Sequence, residues 1–507
     1  MGSYRTAILA LIASGMASCL TPQQAKADPD LAELLDQRLD NARFLAESKD
    51  GDCAQRLDAA RRELEEVAAN PALDILLPAG RARVTDIAYR LHVGRAYCGQ
   101  TAPLTTELMA ALDDAVLAVS LYRELHDYQS MTIMQYDVAV TQRLLGDKDK
   151  AIAALKEALR QDGDYGFSAD AEENGALLSR WMEREPGAQD SVPPRSMAFK
   201  FAWTPLDATV AIEADYLDLA GGTVQNSKAS GIVEHKIRAD DDDWVLSSEP
   251  GERHYDIAEL GDETTPLKQT LVTLAAEQML APDVKISGKG EFGKAVNADK
   301  ISATLVSDIE TVAGKLPTEK EAEQILEAPA LMGLSAQLLT RPNGVSFKAE
   351  HDYDVAVSAW IGATLEQGVW YDMQASLLLP GMAVIMNHDI HFVYSRPVPC
   401  SEGEAQADCA EILVHATPNP DALKTWLKAV RRLFQLQGTD AAHFMAVTDL
   451  RLVVDPNRLL PYVTEARRHW YFALDGKGEP LIGSEKSVAT YHYRAAASPL
   501  AKTPQNP

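Results

Sequence analysis

The apolar residues of this 507-residue chain change their spacing once, and that change fixes the kind of fold open to it. From Asp30 to about Trp181 they recur every three or four positions. Leu31, Leu34, Leu35, Leu39, Ala42 and Leu45 mark one face, and Val84, Ile87, Ala88, Leu91 and Val93 mark another. This is the period of an amphipathic helix. Further on the spacing falls to two. Phe199, Phe201 and Trp203 alternate with Lys200 and Ala202, and Val210 and Ile212 share a face. The longest alternating run is Val345, Phe347, Ala349, His351, Tyr353, Val355 and Val357 against Lys348, Glu350, Asp352, Asp354 and Ser358. Such alternation predicts antiparallel strands with one buried and one wet face.

Breaks at Asp50-Gly51-Asp52, at Asn70-Pro71 and at Pro78-Ala79-Gly80 divide the first part into about seven helices, with Asp52 as a ready N-cap. Helical segments near Leu267–Leu280, Glu319–Leu339 and Asp421–Leu436 interrupt the strands. The predicted class is therefore multidomain α+β. A helical-hairpin stack spans 28–185, and a linker over 186–197 carries Pro186-Gly187 and Pro193-Pro194. A strand-rich antiparallel sheet with packed helices fills 198–494, as one domain or two subdomains. A polar, proline-containing tail over 495–507 is expected to be disordered.

Leu145-Gly146-Asp147, followed by Ala151, Leu155 and Ala158 and closed by Asp162 to Tyr165, resembles the second half of a tetratricopeptide repeat. Ala139 fits the small position in the first helix of that hairpin. The resemblance covers about 136–165, and the upstream hairpins share only its periodicity. It implies paired helices brought close by small residues, and a surface that binds other polypeptides.

The N-terminus carries an address. One positive charge at Arg5 precedes an apolar run from Thr6 to Leu20, shorter than the ~20 residues a bilayer span requires, so 1–27 reads as a signal peptide. Ala25-Lys26-Ala27 is a cleavage site that would leave Asp28 first. A second reading stays open: Met16-Ala17-Ser18-Cys19 resembles a lipoprotein processing site, with Cys19 lipidated. The expected location is the periplasm or the exterior of a Gram-negative-type cell, with lipid anchoring through Cys19 as the alternative.

Outside that segment the cysteines are an even set, Cys53, Cys98, Cys400 and Cys409. In an exported chain this predicts two disulfides, paired locally as 53 with 98 and 400 with 409. Cys53 opens one helix and Cys98 ends the next, so an antiparallel hairpin brings them side by side. No apolar run past the leader reaches membrane-spanning length, and no transmembrane segment is expected in the mature chain. The net charge of −26 argues against nucleic acid as a partner.

Three segments carry residues suited to chemistry. His388 and His391 fall on opposite faces of an alternating strand and cannot share an ion. Asn387, Asp389 and His391 share the wet face. If Cys400 and Cys409 face each other across a hairpin, the register places His415 opposite Tyr394 on the apolar side, away from them. No metal site is expected, and His388 reads as a core histidine. Gly288-Lys289-Gly290-Glu291-Phe292-Gly293 matches the dinucleotide-binding glycine pattern, but its context is a turn between strands, so no cofactor is expected. Asp240 to Asp243 lacks the ligand order of a calcium loop and reads as a charged turn. No catalytic motif appears.

The expected function is that of an exported envelope adaptor that engages a protein partner through its helices. The alternative is a lipid or lipoprotein carrier whose apolar ligand lies along Met382, Val384, Met386, Phe392 and Tyr394. An envelope hydrolase resting on Asp389 and His391 comes last.

Overall fold

A computed structural model describes residues 31–48, 51–70, 73–77, 79–100, 103–182, 195–220, 223–256, 282–301, 303, 345–346, 349–350, 353–354, 357–379, 385–400, 408–433, 442–474 and 481–495. The leader with Cys19, the segments 267–280 and 319–339, most of the 186–197 linker and the 496–507 tail lie outside the described residues.

Among the described residues, eight helices come first: α1 (Leu31–Glu47), α2 (Cys53–Ala68), the single turn α3 (Leu73–Leu76), α4 (Gly80–Tyr97), α5 (Thr105–Glu124), α6 (Tyr128–Leu144), α7 (Lys148–Tyr165) and α8 (Ser168–Trp181). Their boundaries follow local chemistry. Asp52, Asp127 and Asp147 cap α2, α6 and α7 by accepting from the amides of Gln55, Ser130 and Lys150 at 3.0, 3.0 and 3.3 Å. Each cap satisfies an amide that has no partner inside its helix. Consecutive long helices pack as hairpins. In the α6–α7 pair Ala139, Ala151, Leu155 and Ala158 have no exposed surface, which is the close approach that small residues allow. Cys53 is bonded to Cys98 with Cα atoms 5.8 Å apart, joining the start of α2 to the end of α4.

The strands are β1 (Ser196–Ala198), β2 (Leu206–Ala220), β3 (Thr223–Asp240), β4 (Asp243–Asp256), β5 (Val284–Ile286), β6 (Phe292–Ala295), β7 (Thr364–Glu366), β8 (Trp370–Leu378), β9 (Ile385–Pro399), β10 (Asp408–Pro418), β11 (Ala442–Asp455), β12 (Leu460–Leu474) and β13 (Leu481–Ala495). Helix α9 (Pro420–Leu433) lies between β10 and β11. Eleven strands form one antiparallel sheet in the order β6-β5-β4-β3-β2-β13-β12-β11-β10-β9-β8, and β1 pairs with β7. Cys400 and Cys409 are bonded across the β9–β10 connection. Among the described residues, no helix is long and apolar enough to cross a membrane.

One face of the sheet is apolar. Ile390, Tyr394, Ile412, Val414, Ala416, Leu452 and Val454 pack there with Phe199, Trp203, Tyr353 and Trp360. Near the β8 end, Met386, Phe444 and Phe472 pack on Trp426, Leu427 and Val430 of α9. The other face receives the helices: Tyr471, Ala473 and Ile482 share a core with Leu39, Leu57, Leu64 and Ile87.

Three local expectations are corrected. The described residues of 345–357 are not in a strand: Val345, Ala349 and Tyr353 have helical backbone, and the Val357 amide donates to the Tyr353 carbonyl at 2.8 Å. The buried members Val345, Ala349, Tyr353 and Val357 are spaced by four, so a run that alternates by two also contained one helix face. Phe199 and Trp203 enter the core from an irregular segment, in which Phe199 bonds Ala363 and Lys200 bonds Pro456 instead of joining the ladder. Ser196 and Met197, expected in the linker, belong to β1.

Candidate functional site

Besides the apolar contact of α1, α2 and α4 with β12 and β13, the helices meet the sheet at hairpin tips where charged and aromatic side chains gather. Glu411 of β10 is fully buried. It accepts from Arg396 Nε at 3.0 Å, from Arg451 Nε at 2.7 Å and from the Tyr128 hydroxyl of α6 at 3.3 Å. Burial alone would raise its pKa, but the two guanidiniums outweigh that and hold it below the usual carboxylate range. The Arg396 guanidinium lies 5.4 Å from the Tyr128 ring centre and 4.8 Å from that of Tyr165, and the two tyrosines stack at 4.1 Å.

Beside this group, Glu465 of β12 is 2.8 Å from His126 Nε2 and accepts from Arg467 Nε at 3.2 Å. Against the cost of burial, these partners pull its pKa down to about 2. Arg467 also donates to the Glu124 carbonyl, and His469 Nδ1 donates to the Ile75 carbonyl at 2.9 Å. Gly166, the left-handed cap of α7 at φ 82°, lies against Gln367 and Gly368, where a Cβ would come within 3.1 Å of the Gln367 carbonyl oxygen. The backbones of stack and sheet touch at this point, and a side chain would hold them apart.

Away from the tips, α1, α4, α6 and α8 form one row of first helices. Arg90 of α4 pairs with Glu47 at 2.7 Å and Asp86 at 2.9 Å. Next to them Asp137 of α6 bonds Tyr89, and burial, only partly offset by Arg90, pushes its carboxyl up to about 6. Ile133, Val140 and Leu144 continue the same face of α6, with Ile133 and Leu144 44 % and 41 % exposed. On the far side, Tyr136 feels Glu173 and Arg180 of α8, and Arg143 covers Trp181. The result is an apolar strip between two polar margins. A second exposed set, Met109, Val116 and Leu117, lies on α5.

The sequence candidates fall elsewhere. Asn387, Asp389 and His391 do share the wet face of β9, while His388 is buried and its Nδ1 donates to the Met386 carbonyl at 3.0 Å. The expected position of His415 is corrected. Cys409 pairs with Val398 rather than facing Cys400, and a bulge beside Glu411 shifts the register by one more, so that Tyr394 faces Ile412 and His415 faces His391. Asp389 accepts from Gln374 at 2.8 Å and Asn419 at 3.0 Å, which holds it in a hydrogen-bonded surface network. Among the described residues, no group of three or more His, Cys, Asp or Glu is placed to hold a metal ion.

Gly288–Glu291 lies in the turn between β5 and β6 and Gly293 is already in β6; in the turn Ser287 Oγ accepts from the Glu291 amide at 3.0 Å. Asp240–Asp243 is the β3–β4 turn, where Lys285 reaches Asp240 at 2.8 Å and Asp243 at 3.3 Å. The apolar stripe of β9 is filled by protein: Phe392 packs on Trp360 and Tyr371 at ring distances of 5.1 and 5.5 Å, and Met386 packs with α9. Met382 and Val384 lie outside the described residues.

Sequence reasoning missed the junction because its partners are distant in the chain; Tyr128 and Glu411 are 283 residues apart. One local signal existed. Glu411 sits between Ala410 and Ile412 in a strand whose other described positions are mostly apolar, and such an acid needs a cation beside it. Set against known proteins, the chain matches no protein-family model and no curated protein.

Proposed function

We propose that this is an exported, non-catalytic adaptor that docks a polypeptide partner on the exposed row of its helical stack, with α6 at the centre. The observation that carries this reading is the strip Ile133, Val140 and Leu144, an apolar centre between an ion-paired margin on α4 and a polar, aromatic margin toward α8. That distribution is the anatomy of a protein interface, dry in the middle and polar at the rim. The junction supports the reading by tying the hairpin tips to the sheet, which leaves the row itself uncovered by described residues. The two disulfides fit an oxidising compartment outside the cytoplasm. The carrier reading loses its main support, because the described part of the β9 stripe is packed core.

A photo-activatable side chain at Val140, compared with one at Met109 on α5, tests the proposal in cells. Cross-links to one defined protein from position 140 and not from 109 are expected. Cross-links from 109 alone, or from neither, contradict it.

A further inference from the structure

Four side chains line up across four strands on the polar face of the sheet. Asp372, His391, His415 and Asp449 are register partners in sequence from β8 through β9 and β10 to β11. His391 Nδ1 lies 2.5 Å from Asp372 Oδ1, and His415 Nδ1 lies 2.7 Å from Asp449 Oδ1. An ionised carboxylate can only accept, so in both rings Nδ1 carries the proton, and the neutral imidazole keeps its lone pair on Nε2. The two side chains are 50 % and 44 % exposed, which leaves them open to a small ion from solution.

Directly opposed residues on antiparallel strands have Cβ atoms roughly 4.5–5.5 Å apart. Two imidazoles rooted at that spacing can converge on one ion with metal–nitrogen bonds of about 2.0–2.1 Å. A carboxylate that holds Nδ1–H is also the usual outer partner of a metal-bound histidine, fixing the ring and raising the basicity of the other nitrogen. Imidazole favours zinc, nickel and copper, whereas magnesium and calcium prefer oxygen. The acidic chain, at −26, concentrates cations near its surface.

We propose that His391 and His415 together bind one divalent transition-metal ion of the zinc class through their Nε2 atoms. Water completes the coordination, and Asp372 and Asp449 are positioning residues. The site is independent of the α6 docking face and stands or falls separately from it.

Calorimetric titration of the full disulfide-bonded chain with zinc in chelator-free buffer tests this. One saturable equivalent is expected, absent for magnesium and lost in the H391A/H415A double variant. Asp372→Asn and Asp449→Asn should each weaken binding on the order of 10- to 100-fold while leaving both histidines in place. Histidine side-chain nitrogen NMR of the unaltered chain gives a second readout that needs no variant to fold: zinc should shift Nε2 of these two rings. No saturable uptake below millimolar zinc, uptake unchanged in the double variant, or unshifted Nε2 signals would each overturn the proposal and leave a solvated strand face.

Discussion

Asp162 in the helical stack and Glu411 in the sheet are both fully buried, yet they are held in opposite ways. Asp162 has neutral partners, accepting from Asn174 at 2.7 Å and from Thr132, and burial pushes its carboxyl up to about 6. Glu411 lies between two guanidiniums that keep it ionised. Asp162 is therefore easily protonated, while Glu411 must stay charged. The reason is position. Asp162 ties α7 to α8 within one local unit, whereas Glu411 anchors a contact between halves of the molecule, where charge pairing fixes the geometry.

The largest effect expected from breaking this contrast comes from Glu411→Ala. It leaves the partly buried Arg396 and Arg451 without their main counter-charge, and urea unfolding should show a loss of about 3 kcal/mol, the low end for breaking a buried pair. The disulfides come next. Cys53–Cys98 spans 45 residues and Cys400–Cys409 spans 9. Replacing the first pair with serine should cost about 2–5 kcal/mol, and the second about 1 kcal/mol less, since the shorter loop restricts the unfolded chain less.

The response to acid sharpens the comparison. Asp137 and Asp162, at about 6, lie above their unfolded value, so their protonation favours the folded state as pH falls from about 6 to about 4. Each should add on the order of 1–3 kcal/mol to the stack over that window. The sheet should move the other way. His235 is pushed down to about 4 by burial, so stability is lost between its unfolded value near 6.5 and about 4. Glu465, at about 2, contributes stability above its unfolded value near 4.5, and this is lost as pH falls through 2. Urea unfolding at pH 7 and pH 5, on the unaltered chain and on Asp162→Asn and His235→Gln, separates the two opposing contributions to the one unfolding free energy. An acid response unchanged in both variants would refute the assignment. The smallest change is Asp162→Asn, expected to be neutral or stabilising by about 1 kcal/mol at pH 7 and to flatten the acid response of α7 and α8.

Legibility in the sequence followed the range of the interactions. Asp52, Asp147 and Gly146 act within one turn of chain, so the helix boundaries could be read directly. The α+β division followed from the change of period. The run at Val345 was misread because a spacing of two includes a spacing of four, and only the packing of Tyr353, whose hydroxyl donates to the Gly290 carbonyl at 2.9 Å, distinguishes them. The facing of His391 and His415 was hidden by the pairing of Cys409 with Val398 instead of Cys400 and by one bulge, each of which changes which side chains oppose each other. The junction of Tyr128, Tyr165, Arg396 and Glu411 was illegible because no local pattern encodes contacts between distant halves.

The central claim is that this junction makes stack and sheet unfold as one body. Hydrogen exchange on the unaltered chain and on Glu411→Ala tests it most directly, read at the amides of α6 and α7. Loss of protection there, in step with β9 to β12, is the predicted result. Unchanged protection in α6 and α7, with loss confined to the strands, would show two independent units and contradict the account.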